Sequence, residues 1–233
     1  MRLPAFALAA LVLAQPAAAQ VGYPPEKSPF RDINKKWSLT ALYGRLGGDG
    51  GKVGIGPHDG PTYGGRLEMV LGTPVAAALT VSHGSLVRDV VNVDSLGVHR
   101  TGPYDQSVLM VEGALQLNIT GKKTWHRLAP FIGISAGWVH GSASSAVAKA
   151  DSSGFEFGNK FYWSPSAGTR LFLTRRMFLR GDARYVSWKL SYPTVYARNP
   201  SQDPNIPIIV IPDGKLDEWD GAFEWRVGLG FSF

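Results

Sequence analysis

FEWRVGLGFSF, residues 223–233, places Phe223, Trp225, Val227, Leu229, Phe231 and Phe233 on one side of an extended chain and Glu224, Arg226, Gly228, Gly230 and Ser232 on the other. Side chains of a β-strand point alternately to its two faces, so a strict two-residue period is the signature of a strand, whereas a helix would mix the two sets. One face here is continuously apolar and the other carries charge. The strand therefore separates an apolar medium from a polar one.

The same alternation recurs upstream. Near 107–119, Leu109, Val111, Leu115, Leu117 and Ile119 oppose Glu112, Gln116 and Asn118; near 128–140, Ile132, Ile134, Ala136 and Trp138 oppose Gly133, Ser135 and Gly137. Near 161–173, Phe161, Trp163, Ala167, Leu171 and Leu173 oppose Tyr162, Ser164, Ser166, Gly168 and Arg170. Near 177–189, Leu179, Ala183 and Tyr185 oppose Arg180, Asp182 and Arg184. Weaker strands read at Trp37 to Gly44, Tyr63 to Leu71 and Val75 to His83, which makes eight.

Alternation alone does not say which face is buried. The strands are long, as tilted strands crossing a bilayer must be, and longer than those of most globular sheets. Aromatic residues cluster near their ends (Trp37, Tyr43, Tyr63, Trp138, Phe161, Trp163, Trp188, Trp225), the expected pattern of interfacial girdles. Connections alternate in length. Gly72 to Pro74, Gly121 to Arg127 and Thr174 to Arg176 are short, whereas Arg45 to Pro61, Gly84 to Tyr104, Gly141 to Gly154 and Ser191 to Glu218 are long. The first twenty residues, MRLPAFALAALVLAQPAAAQ, read as a secretory signal peptide, with Arg2, an apolar run and the small residues Ala17–Ala19 before the cut. No second apolar run has the roughly 18 residues a spanning helix needs. The expected fold is all-β, an eight-stranded antiparallel up-and-down transmembrane β-barrel over residues 37–233, preceded by a periplasmic lead-in at 21–36.

Composition narrows the function. The 233 residues contain no cysteine, which excludes disulfides, thiol catalysis and zinc-thiolate sites. The formal net charge is +6, but Lys35-Lys36, Lys122-Lys123 and Arg175-Arg176 are short pairs at expected turns rather than a nucleic-acid patch. The five histidines (His58, His83, His99, His126, His140) have no metal-ligand spacing, and the Gly-rich stretch Gly44 to Gly56 lacks the strand-to-helix context of a phosphate loop. No cofactor, metal or nucleic-acid partner is expected.

On the inward face the alternation collects Arg66, Arg170, Arg180, Arg184 and Arg226 against Glu68, Glu112, Asp182 and Glu224. Unpaired charge in a narrow lumen is costly, so these nine residues are expected to form a paired network that plugs the barrel. A narrow solute channel through a rearranged network is the alternative.

The terminal WRVGLGFSF, LAPFIGISAGW (Leu128 to Trp138) and FLRGDARYVSW (Phe178 to Trp188) resemble the small outer-membrane β-barrel proteins related to the transmembrane domain of outer-membrane protein A. The resemblance spans roughly residues 37–233. It implies a Gram-negative outer-membrane location, contact with outer-membrane lipids and lipopolysaccharide, and recognition of Phe231 and Phe233 by barrel-assembly machinery. The family includes structural proteins, adhesins, small channels and enzymes, so function is expected from the outer loops: a structural or surface-interaction role, with a possible extracellular ligand there.

A second class of reading rests on His140-Gly141-Ser142. A His and a Ser two residues apart on a strand share a face, and the pair resembles the H-x-S of outer-membrane lipid A deacylases, with Glu156 to orient His140. Against it, Ala143 stands where that family has Asn, Glu156 takes the opposite phase, and His83 and Ser85 repeat the pattern. The leading expectation is therefore non-enzymatic. The fourth loop, which contains the apolar run Ile206 to Ile211, is open to covering the mouth, binding a partner or packing on itself as a hairpin, and the last is expected.

Signal peptidase accepts small side chains before the cut. Mass spectrometry of the exported protein is expected to show a chain beginning at Gln20, whereas a retained residue 1–19 segment would contradict the reading.

Overall fold

The computed structural model describes residues 28–198 and 209–233; the signal peptide, residues 21–27 of the lead-in and residues 206–208 of the fourth-loop apolar run lie outside them. Ten strands form in chain order: β1 (Phe30–Asp32), β2 (Trp37–Gly47), β3 (Gly60–Val70), β4 (Val75–Asp94), β5 (Gly97–Asn118), β6 (Lys123–Trp125), β7 (Leu128–Ala143), β8 (Gly158–Phe172), β9 (Met177–Ser191) and β10 (Asp217–Ser232). A short helix, α1 (Ser145–Ala150), and a 3-10 turn at Thr194–Ala197 lie between them.

Eight strands pair antiparallel in sequence order, β2-β3-β4-β5-β7-β8-β9-β10, and β10 returns to β2 from Phe223↔Gly47 to Ser232↔Ser38. The backbone pairing of Trp37 with Phe233 extends this seam. No strand edge of the ring is left open, which hydrocarbon requires because it offers no water to an unpaired N–H or C=O. Following the paired residues from Trp37 through Met69, Ala77, Leu115, Ile134 and Pro165, then Tyr185 and Phe223, leads back to the first strand at Gly47, ten residues further on. The register across Pro165 is set by Trp163↔Ser187 and Ser166↔Arg184 on either side. That stagger tilts the strands, and an eight-stranded barrel has an interior just wide enough for side chains to fill.

The expected partition of faces holds. On β5, Leu115 is 56% exposed and its neighbour Gln116 is 2% exposed. On β10, Phe223, Trp225, Val227, Leu229 and Phe231 are exposed while Glu224, Arg226 and Ser232 are buried. An apolar exterior around a polar interior inverts the order of a water-soluble protein and suits a bilayer. At the outer rim, edge-to-face pairs Tyr43–Trp225 (6.2 Å) and Trp138–Phe161 (6.4 Å) form part of the aromatic girdle. Within the lumen, Gly230 leaves room for the Phe178 ring, which lies where a side chain would stand.

Three expectations are corrected and a fourth is extended. Trp188 is not a girdle residue. It shares the inward phase of Arg180 and Arg184, is fully buried, and meets Phe157 edge-on at 5.5 Å. The segment Gly84 to Tyr104 is not a loop, because β4 and β5 continue outward as a hairpin whose tip is closed by the Asp94 carboxylate accepting from the Leu96 and Gly97 amides. A register shift between Arg88 and Val90 breaks the alternation there and hides the strand from a periodicity reading. The end of the lead-in is strand as well: β1 pairs with β6 inside the expected turn Gly121 to Arg127, and Ile33 packs on Ala129, Phe172 and Phe178. The fourth loop pairs with itself, Ile211 N donating to the Tyr196 carbonyl at 2.8 Å and Tyr192 N to the Leu216 carbonyl at 2.7 Å, and it also covers the mouth, with Tyr196 donating to the Val91 carbonyl at 2.7 Å and Ile211 buried beside it.

Leu115→Arg, on the lipid face, is expected to destabilise the barrel by about 2–4 kcal/mol in urea unfolding from lipid vesicles. An unchanged unfolding midpoint would place Leu115 away from hydrocarbon.

Candidate functional site

The lumen holds two tiers of charge. In the lower tier three guanidinium groups converge on one carboxylate. Arg170 Nη1 donates to Glu68 Oε1 at 2.8 Å, while Arg66 Nε and Arg180 Nη1 approach Oε2 at 3.4 and 3.3 Å. Neutral partners take up further donors: Asn118 accepts from Arg170 (2.8 Å), Gln116 from Arg180 (3.2 Å) and Thr80 from Arg66 (3.2 Å). The Arg180 guanidinium also sits 4.0 Å over the Phe131 ring, a cation–π contact made in a desolvated place.

In the upper tier Arg184 bridges Glu112 and Glu224, both at 2.5 Å, and Arg226 joins Asp182 (2.6 Å) to Glu112 (3.4 Å). Tyr162 and Ser135 donate to Glu112 at 2.9 and 3.0 Å, and Thr62 donates to Glu224 at 2.5 Å. Asp182 lies 3.6 Å from Arg180 and so links the tiers. All nine charged residues expected in the lumen are buried and brought together here.

Thr62, Thr80, Gln116, Asn118, Ser135 and Tyr162 complete the network. The two-residue period puts Gln116, Asn118, Ser135 and Tyr162 on the inward face, but a neutral polar residue announces no partner. Thr62 precedes the strand boundary that the sequence pattern allows.

Above the charges sits an apolar cap. Leu46 of β2, Val53 and Ile55 from the first outer connection, Phe155 and Phe157 from the third, Trp188 of β9, and Tyr192, Tyr196 and Ile211 from the fourth connection pack with Leu86 and Val91 of the long hairpin into one buried cluster. Beneath the Phe155 ring Arg88 stacks at 4.9 Å and forms an ion pair with Asp151. Tyr192 donates to Glu218, and burial together with that carboxylate raises the phenol above its ordinary pKa, so it stays protonated. The Arg88–Asp151 pair has no sequence signal, because Arg88 adjoins the bulge and Asp151 follows α1.

The residues of the alternative hydrolase reading lie outside this network. His140 Nδ1 is 2.8 Å from Asn159 Oδ1, Ser142 stands opposite Ser107, and Glu156 is exposed in the segment between α1 and β8. A His–Ser contact does occur elsewhere, between His83 Nε2 and Ser107 Oγ at 3.3 Å across β4 and β5, a cross-strand relation that no local motif encodes. Phe231 and Phe233 are exposed on the apolar exterior at the seam. Among the described residues no cluster of His, Asp and Glu is placed to hold a metal ion.

Removing one member of a buried charged set strands its partners, at a cost of about 3–5 kcal/mol. Glu68→Ala is expected to lose that much stability in urea unfolding from vesicles, whereas Asp217→Ala, which breaks the half-exposed Lys189–Asp217 pair, is expected to lose less than about 1 kcal/mol.

No known protein family matches the chain, and no curated protein matches it. Among solved structures it is similar to the outer membrane protein OprG from Pseudomonas aeruginosa, at 11% identity and a TM-score of 0.54 over 88% of this chain and 99% of that one. It is also similar to the Neisserial surface protein A, NspA, at 10% identity and a TM-score of 0.51 over 88% of this chain and 98% of that one. At such identities the likeness establishes the fold, and the fold is that of the small outer-membrane β-barrels.

Proposed function

We propose that this protein is a closed outer-membrane barrel with a structural and surface-interaction role, its lumen blocked by charge and its outer loops presented to the exterior. The observation that carries this reading is the double occlusion of the lumen. A paired network fills the mid-barrel, and an apolar cap assembled from all four outer connections lies over it. Opening a path would require both breaking buried ion pairs and exposing the cap, and each is costly on its own.

The β4–β5 hairpin supplies the surface for a partner. It extends the two strands to Asp94 and Gly97, and Leu96 at its tip is 87% exposed, with Val98 exposed beside it. An apolar tip on a rigid paired stem is suited to contact with another macromolecule or with lipid. In the same reading the terminal Phe231 and Phe233 remain on the lipid-facing side, open to assembly machinery.

Purified protein inserted into planar bilayers is expected to show no steady ion conductance under applied voltage. A stable, ion-selective conductance from the unmodified chain would overturn the closed-barrel reading in favour of a narrow channel.

A further inference from the structure

At the end of the barrel opposite the cap, the lead-in and two turns enclose a cleft of about 1030 Å³. Arg31 and Lys35 of the lead-in, Arg127 before β7, and Arg175 and Arg176 between β8 and β9 line it, against the single carboxylate of Asp32. Among the described residues none of these five cations forms an ion pair with a carboxylate. An apolar wall of Phe30, Ile33, Phe172 and Leu173 adjoins the polar Asn34, Thr124 and Thr174.

The frame around the cleft is held by backbone bonds. Ile33 N donates to the Lys122 carbonyl at 2.7 Å, His126 N to that of Pro29 at 3.0 Å and Phe172 N to that of Arg127 at 2.8 Å. His126 and Arg127 both adopt left-handed backbone, with φ of 49° and 70°, a conformation that costs energy in residues with a side chain and that sets the direction of the chain entering β7. The cleft therefore has a defined shape as well as a charge.

We propose that this cleft binds an anionic phospholipid of the periplasmic leaflet, the phosphate against the arginines and the glycerol and first chain carbons against the apolar wall. The position supports the assignment. Leu173, Met177 and Phe231 are exposed on the lipid-facing side at this rim, so the hydrocarbon boundary, and with it the layer of lipid phosphates, stands at the level of the cleft. Arginine matches a phosphate with paired donors, and clustered cations at a membrane edge attract anionic headgroups. The apolar half of the lining favours an amphiphile over a free phosphate. The site is separate from the lumen network and independent of whether the barrel is closed.

The test uses the folded mature chain in nanodiscs of equal phosphatidylglycerol and phosphatidylcholine, released into detergent and weighed by native mass spectrometry. The unmodified chain is expected to retain phosphatidylglycerol selectively, and each arginine removed in Arg127→Gln, Arg175→Gln and Arg176→Gln is expected to lower that retention about fivefold. Heat-modifiable migration on gels reports that the variants fold, and Lys160→Gln with Lys189→Gln at the outer end is expected to retain lipid as the parent does. Selective retention that survives all three arginine substitutions overturns the proposal. Displacement of the lipid by millimolar inorganic phosphate shows a simple anion site and overturns the assignment to phospholipid.

Discussion

Every peptide N–H and C=O in the hydrocarbon must find a partner within the protein, and the pairing of β10 with β2 is where this chain meets that demand. With the ring closed, two-residue alternation leaves each side chain of the spanning strands only two destinations, lipid or lumen. The apolar set on 223–233 and its charged counterpart are consequences of that choice. A slip of one residue at the seam would place Glu224 and Arg226 in lipid and Phe223 and Trp225 in the lumen, so register and chemistry are locked together.

Inside, the constraint changes character. Charges driven into a lumen with little room for water have to neutralise one another through hydrogen bonds. Glu68 gathers Arg66, Arg170 and Arg180 from three strands, and Glu112 gathers Arg184 and Arg226 from two. These contacts join residues up to 114 positions apart in sequence, so they cross-tie the barrel from within. Above them the packing returns to that of an ordinary protein core. Trp188, Phe157, Tyr196 and their neighbours bury apolar surface away from water as they would in a soluble domain. The described parts of the outer loops are therefore an integral part of the apolar cap.

The features legible in the sequence are those that repeat locally. Strand phase alone placed Arg226 beside Glu224 in the lumen and left Leu115 on the exterior, because neither assignment needs knowledge of a distant segment. The features that escaped arise from long-range pairing or from a broken period. Arg88 and Asp151 meet across 63 positions next to a bulge, and β1 finds β6 across more than ninety. Trp188 lies near a strand end as a girdle residue would, but it shares the phase of Asp182 and Arg184, and that phase turns it inward. For the candidate hydrolytic group, the partner His140 meets is Asn159 from the next strand, a cross-strand contact that the adjacency of His140 and Ser142 does not encode.

The proposed closed barrel depends on direct guanidinium–carboxylate contact in the lumen. Solid-state NMR on the isotope-labelled protein in lipid bilayers reports that contact without perturbing it. Nitrogen–carbon cross-peaks from the Arg184 guanidinium to the carboxyl carbons of both Glu112 and Glu224 are expected, with little transfer from water. Arginine signals that correlate only with water would show a hydrated, open lumen and contradict the proposed closed barrel.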